Sequence, residues 1–154
     1  MRTLLLVFCL IVSVVYMCED CGCIDFRSLY GGFDDDPVFL YSEGKGCVRN
    51  LTCRSSFETK VGSEWDQSEI PKADNWEYNV MAIAQKENIK EDMYVNIFDL
   101  FGIICDNNEW TVTKYPFGYS YTSNRSRFYR DDLEEDKVYK SVVAAFSWFV
   151  TTDL

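Results

Sequence analysis

The cysteines are the residues of this chain with the most chemistry to offer. There are seven: Cys9, Cys18, Cys21, Cys23, Cys47, Cys53 and Cys105. The group Cys18-x2-Cys21-x-Cys23 has a spacing that suits three uses. It can form disulfides in an oxidising compartment, hold a soft metal as thiolates, or exchange thiols in the Cys-x-x-Cys manner. What precedes the group selects among these. Arg2 is followed by an apolar run from Leu4 to Val15. That run has the length of a signal-peptide core and is short for a membrane span. The expected organisation is a signal peptide over 1–17 and a secreted, disulfide-containing domain over 18–154. An uncleaved anchor is the alternative, and the only route by which a membrane would be a partner. Both readings export the cysteines, so bridges are expected, with no metal and no cofactor.

Cys9 leaves with the signal segment. Cys18, Cys21, Cys23, Cys47, Cys53 and Cys105 remain, an even number that suits three disulfides. The segment from Cys47 to Cys53 alternates as a strand does: Cys47, Arg49, Leu51 and Cys53 share one face and Val48, Asn50 and Thr52 the other. Such a strand separates its two cysteines by about 20 Å, far beyond the roughly 7 Å that a disulfide spans. They therefore do not pair with each other. The expectation is Cys53 with Cys105, and Cys47 with one of the N-terminal three. Asn50 and Asn124 each open an Asn-x-Ser/Thr triplet, so both are candidate N-glycosylation sites.

Other side chains are less specific. The chain has 25 acidic against 15 basic residues and a formal charge of -10. Such a surface repels nucleic-acid phosphates and anionic lipid, so neither is an expected partner. There is no histidine. That excludes Ser-His-Asp and Cys-His catalysis, His-ligated zinc and a histidine pH switch. Paired carboxylates would suffice for glycosidase chemistry, but nothing singles out a pair. Asp34-Asp35-Asp36 lacks the ligand spacing of a calcium loop and reads as a solvated turn before Pro37. Trp65, Trp76, Trp110, Tyr115, Tyr119 and Tyr121 are candidates for an aromatic ligand face. Trp110 and Tyr115 fall on a strand and are expected in the core. Tyr119-Ser120-Tyr121 follows a Pro-Phe-Gly turn and is expected at the surface. Arg125, Arg127 and Arg130 adjoin an acidic run and read as mutually neutralising.

The elements that hold these residues are mainly strands. About 135 residues remain after export, enough for one domain with a real core. Residues 24–46 read as an arm of turns with one short strand at Val38–Tyr41, and 62–78 as polar loop. Val80–Ala84 suits strand or helix. The run from Met93 to Cys105 alternates, Asp106-Asn107-Asn108 is a turn, and Trp110–Tyr115 is a strand, which together read as a hairpin. The last segment fits two periods. Asp132 with Glu135 makes a helix N-cap pair, and Tyr139, Val142, Val143, Phe146, Phe149 and Val150 make a helical stripe. Val138, Val142, Ala144, Phe146, Trp148 and Val150 also alternate, and their β-branched and aromatic content tips the reading to strand. The expected fold is mainly β, a single antiparallel sandwich-like domain with disulfides. The alternative is α+β with a C-terminal helix from about 132.

Gly46-Cys47-x5-Cys53, with Ile104-Cys105-x4-Trp110, resembles the nematode-restricted secreted proteins carrying domain of unknown function 281. The resemblance covers roughly 18–115. The chain departs from that pattern in having no cysteine after Cys105, so no disulfide map is carried over. The resemblance implies an extracellular setting and supplies no catalytic residue. The expected role is a secreted binding or interaction domain for a protein or glycan, not an enzyme. A carboxylate-dependent hydrolase is the alternative.

Overall fold

The computed structural model describes residues 20–31, 39–54, 57–84, 94–134 and 136–150. The expected signal segment over 1–17, Asp34-Asp35-Asp36 and Glu135 lie outside them. Within them run β1 (Phe39–Glu43), β2 (Arg49–Arg54), β3 (Phe57–Ser63), β4 (Met81–Ala84), β5 (Tyr94–Asn96), β6 (Ile104–Asp106), β7 (Glu109–Val112), β8 (Tyr119–Ser123), β9 (Ser126–Arg130), β10 (Ser141–Val142) and β11 (Ala145–Val150). The strands pair antiparallel into three sheets, ordered β1-β2-β5, β10-β7-β6 and β11-β3-β4-β8-β9. The fold is mainly β, as the alternating patterns predict.

Two hairpins close on turns whose central residues both have positive φ, as a two-residue primed turn requires. Asn107 and Asn108 (φ 51° and 66°) join β6 to β7, and Asn124 and Arg125 (φ 52° and 62°) join β8 to β9. Asparagine tolerates this backbone because its short polar side chain bonds locally.

The run from Met93 to Cys105 is not one alternating strand. It is β5, the one-turn helix α1 (Ile97–Phe101), then β6. Asn96 Oδ1 accepts from the Phe98 N–H at 3.1 Å and caps the helix. Gly102, at φ 57°, ends it. Ile97, Phe98 and Phe101 are buried, a helical spacing hidden in the alternation.

Among the described residues the C-terminal segment carries strands and no helix. β10 pairs with β7, and β11 pairs with β3, setting Phe146 opposite Val61. Its residues fit two periods because the chain changes sheets between Val142 and Ala145. That irregular step puts Tyr139, Val143 and Phe146 all inside, at intervals that mimic a helix face.

The sheets meet at Phe26, on a 3-10 turn (Phe26–Leu29) of the N-terminal arm. Its ring is fully buried. It lies 4.6 Å from the Phe98 ring, 4.7 Å from Phe146 and 5.5 Å from Trp110. These rings come from α1, the five-stranded sheet and the β10-β7-β6 sheet. A phenyl group this buried carries about 2–3 kcal/mol of transfer free energy. Tyr30 then bridges in parallel to Phe146, and the Gly31 N–H donates to the Phe146 carbonyl at 2.9 Å.

Candidate functional site

The arm is covalently fastened. Cys21 is bonded to Cys47 and Cys23 to Cys105. Cys47 thus ties to an N-terminal cysteine, as expected. Cys105 does not take Cys53. Cys47 sits in the turn just before β2, beside the arm, while Cys53 lies toward the far end of that strand, paired in register with Phe39 and Val95. Strand length carries Cys53 away from the β6–β7 hairpin, which closes over the arm instead. Cys18 and the Cys53 side chain fall outside the described residues, so the expected third bridge does too.

The two bridges sit together. The sulfurs of Cys21, Cys47 and Cys105 all lie within 4.8 Å of one another. These three residues are half-buried, whereas Cys23 is buried. Trp110 stands opposite Cys105 in the β6–β7 ladder and donates its indole N–H to the Ile24 carbonyl at 2.7 Å. Arg49 lies over the Trp110 ring, its guanidinium carbon 5.7 Å from the centroid. Its Nη1 donates at 2.9 Å to the carbonyls of Gly46 and Val48, on either side of Cys47. Its Nε is buried, makes no hydrogen bond among the described residues, and stands 3.7 Å from Glu43 Oε1. A mostly buried cation therefore flanks the bridge at Cys47.

Both glycosylation candidates are exposed. Asn50 is on the middle strand β2, and its Oδ1 accepts from Thr52 Oγ1 at 2.7 Å. Asn124 is on the β8–β9 turn. The aromatic candidates divide. Trp65, Trp110, Tyr119 and Tyr121 are buried, so the expected exposure of Tyr119 and Tyr121 is wrong. Those two tyrosines pack edge-on against Trp65 at 5.7 Å, and Phe128 stacks on Tyr121 at 5.4 Å. The turn before them does not carry them outward, because β8 is an inner strand of its sheet. Tyr115 is half-buried; its hydroxyl donates to Ser141 Oγ at 2.6 Å, and burial pushes its pKa up to about 12.

Of the expected six, Trp76 is exposed (41%), under the Lys72 ammonium. It is joined at the surface by Tyr78 (51%) and Val80 (58%). Their loop is latched to the β8–β9 hairpin. The Tyr121 hydroxyl donates to Asn75 Oδ1 at 2.6 Å, and the Asn124 N–H donates to Glu77 Oε2 at 2.5 Å. Tyr129, on the outermost strand β9, is 66% exposed, with the Arg127 guanidinium 5.0 Å from its ring. The sequence reading passed over Tyr78 and Tyr129. The available signal was position: Tyr129 alternates with Phe128, which turns inward. Arg130 pairs with Asp132, the neutralisation expected of that charged run.

Asp25 and Asp132 have carboxyls held below the ordinary range, first by hydrogen bonds from Arg27 and Arg130. That is the opposite of what a glycosidase acid requires. Among the described residues, no helix is long and apolar enough to cross a membrane.

No curated protein and no solved structure matches the chain. A family model does, over residues 17–148, and it is that of TRA-1 regulated protein R03H10.4. The label of domain of unknown function 281 is not confirmed by this match, while the nematode setting is shared. The match spans most of the chain, cysteine cluster and C-terminal strands included, and so the chain belongs to the nematode family of TRA-1 regulated protein R03H10.4.

Proposed function

We propose that the chain is a secreted binding domain that takes an extended protein segment or a glycan outside the cell. The observation that carries this reading is the β8–β9 edge. β9 is the outermost strand of a five-stranded sheet, with Tyr129 two-thirds exposed on it and Trp76, Tyr78 and Val80 on the loop latched to its hairpin. An edge strand offers unpaired backbone groups to an incoming strand, and exposed aromatics offer flat apolar surface to a side chain or sugar ring. Two disulfides support an oxidising compartment. The exposure of Asn50 and Asn124 supports N-glycans at both.

The test begins with expression through a eukaryotic secretory pathway. Protein from the medium should lose mass on N-glycan removal, and lose less in Asn50→Gln and Asn124→Gln. It is then applied to glycan and extended-peptide arrays. The expected result is a ligand whose binding drops at least tenfold in Tyr129→Ala or Trp76→Ala, with circular dichroism unchanged. Turnover of a polysaccharide, or binding indifferent to both substitutions, overturns the reading.

A further inference from the structure

We propose that the cysteine cluster is a thiol–disulfide exchange site, at which a low-molecular-weight thiol moves one bridge and unfastens the N-terminal arm. Two bridges in a domain normally act separately. Here three sulfurs from the two bridges lie within 4.8 Å of one another, so a sulfur freed from one is already in reach of the other. The half-buried members are Cys21, Cys47 and Cys105, and the buried one is Cys23. An external thiolate therefore meets the Cys21–Cys47 bridge more readily than Cys23.

Arg49 sets the direction. Exchange runs faster when the departing sulfur is the better leaving thiolate, and a nearby cation makes it so. Arg49 brackets Cys47 through its bonds to Gly46 and Val48, and lies over Trp110, the cross-strand partner of Cys105. Glu43 and Asp25 are the acidic groups near this guanidinium, and both are exposed. The thiolate that departs is Cys47.

In the first step the external thiolate attacks Cys21 Sγ. The Cys21–Cys47 bond breaks, a mixed disulfide forms on Cys21, and the electron pair leaves on Cys47. In the second step Cys47 Sγ attacks Cys105 Sγ. The Cys23–Cys105 bond breaks, a Cys47–Cys105 bond forms, and Cys23 leaves as a thiolate that takes a proton from water. Each step breaks one S–S bond and makes one, so the protein stays at the same oxidation level apart from the added thiol. The consequence is mechanical. Before exchange, both bridges end on the arm; afterwards the remaining bridge joins the β1–β2 turn to β6. The arm is then held by Phe26 packing, the Trp110 bond to Ile24 and the pairing of Tyr30 and Gly31 with Phe146, without a covalent tie.

The test uses folded, oxidised full-length protein. It is exposed to graded reduced glutathione, quenched with acid, alkylated and mapped as non-reduced peptides. The expected product joins the Cys47 and Cys105 peptides, with Cys23 alkylated and glutathione on Cys21. In Arg49→Gln the initial rate of its appearance should fall about three- to tenfold, the effect of a shift of up to about one unit in thiol pKa. In Cys21→Ser/Cys47→Ser the Cys23–Cys105 bridge should survive the same glutathione dose. The proposal is overturned if Cys21 and Cys47 are alkylated while Cys23–Cys105 stays intact at every dose. It is equally overturned if the double variant loses Cys23–Cys105 as fast as the native protein.

Discussion

The two ends of this molecule hold loop to sheet by different means. At the arm, residues 20–31 have little regular structure, and two disulfides and the Phe26 ring fix them. At the hairpin end, the loop around 74–80 is also irregular, yet its latches are two hydrogen bonds, from Tyr121 to Asn75 and from Asn124 to Glu77. The arm places an aromatic ring in the core. The loop leaves Trp76 and Tyr78 in solvent. Cross-links and a buried ring make a joint that holds until a thiol exchanges its bridges, while exposed polar latches on a surface with aromatics leave that surface free to meet a ligand. The difference locates rigidity at one end and availability at the other.

The comparison is sharpened most by removing the long bridge. Cys23→Ala with Cys105→Ala opens a loop of sequence separation 82. The expected loss is about 4 kcal/mol, read from urea unfolding. Phe26→Ala should cost about 3–5 kcal/mol, since three rings lose their common neighbour. A loss below about 1 kcal/mol for Phe26 would break the claim that the arm is part of the core. Near the other end, Gly118 has φ 70°, and a Cβ there would run into the Arg130 carbonyl. Gly118→Ala should cost about 2 kcal/mol, with the β8–β9 amides exchanging faster while those of β2 stay protected. The smallest effect concerns Tyr115. Its folded pKa, about 12, stands above that of an unfolded phenol, about 10. The neutral form therefore stabilises the fold fully below about pH 10, and that contribution is lost as pH rises toward 12. Tyr41 is also pushed up to about 12, first by burial, so phenolate absorbance should show a late-titrating fraction that shrinks by one tyrosine in Tyr115→Phe.

Much of the fold was legible because alternation is local. The stretch around Cys47–Cys53 announced β2, and Asn107-Asn108 announced its hairpin. What was hidden depended on partners distant in sequence. α1 was concealed because Ile97 and Phe101, four residues apart, satisfy alternation and a single helical turn equally, and only Phe98 breaks the alternation. The C-terminal strands were ambiguous because the step between sheets breaks their period. The Cys23–Cys105 bridge depends on how the arm threads past β6, which no spacing records. Phe26 looks like any loop aromatic until α1 and two of the sheets close on it. Tyr119 and Tyr121 misled for the same reason: a turn before a strand does not tell whether that strand is central or outermost.

The stacking of Phe26 on Phe146 carries a further consequence, one of timing. About 120 residues separate the two rings, and at roughly 5–20 residues per second they are made about 6–24 s apart. Until β11 arrives, Phe26 has no stacking partner in the five-stranded sheet and β3 has an open edge. A nascent chain of this protein must cross that interval with its central apolar surface uncovered. Apolar surface left open over such an interval favours aggregation, the hazard that chaperones counter during synthesis.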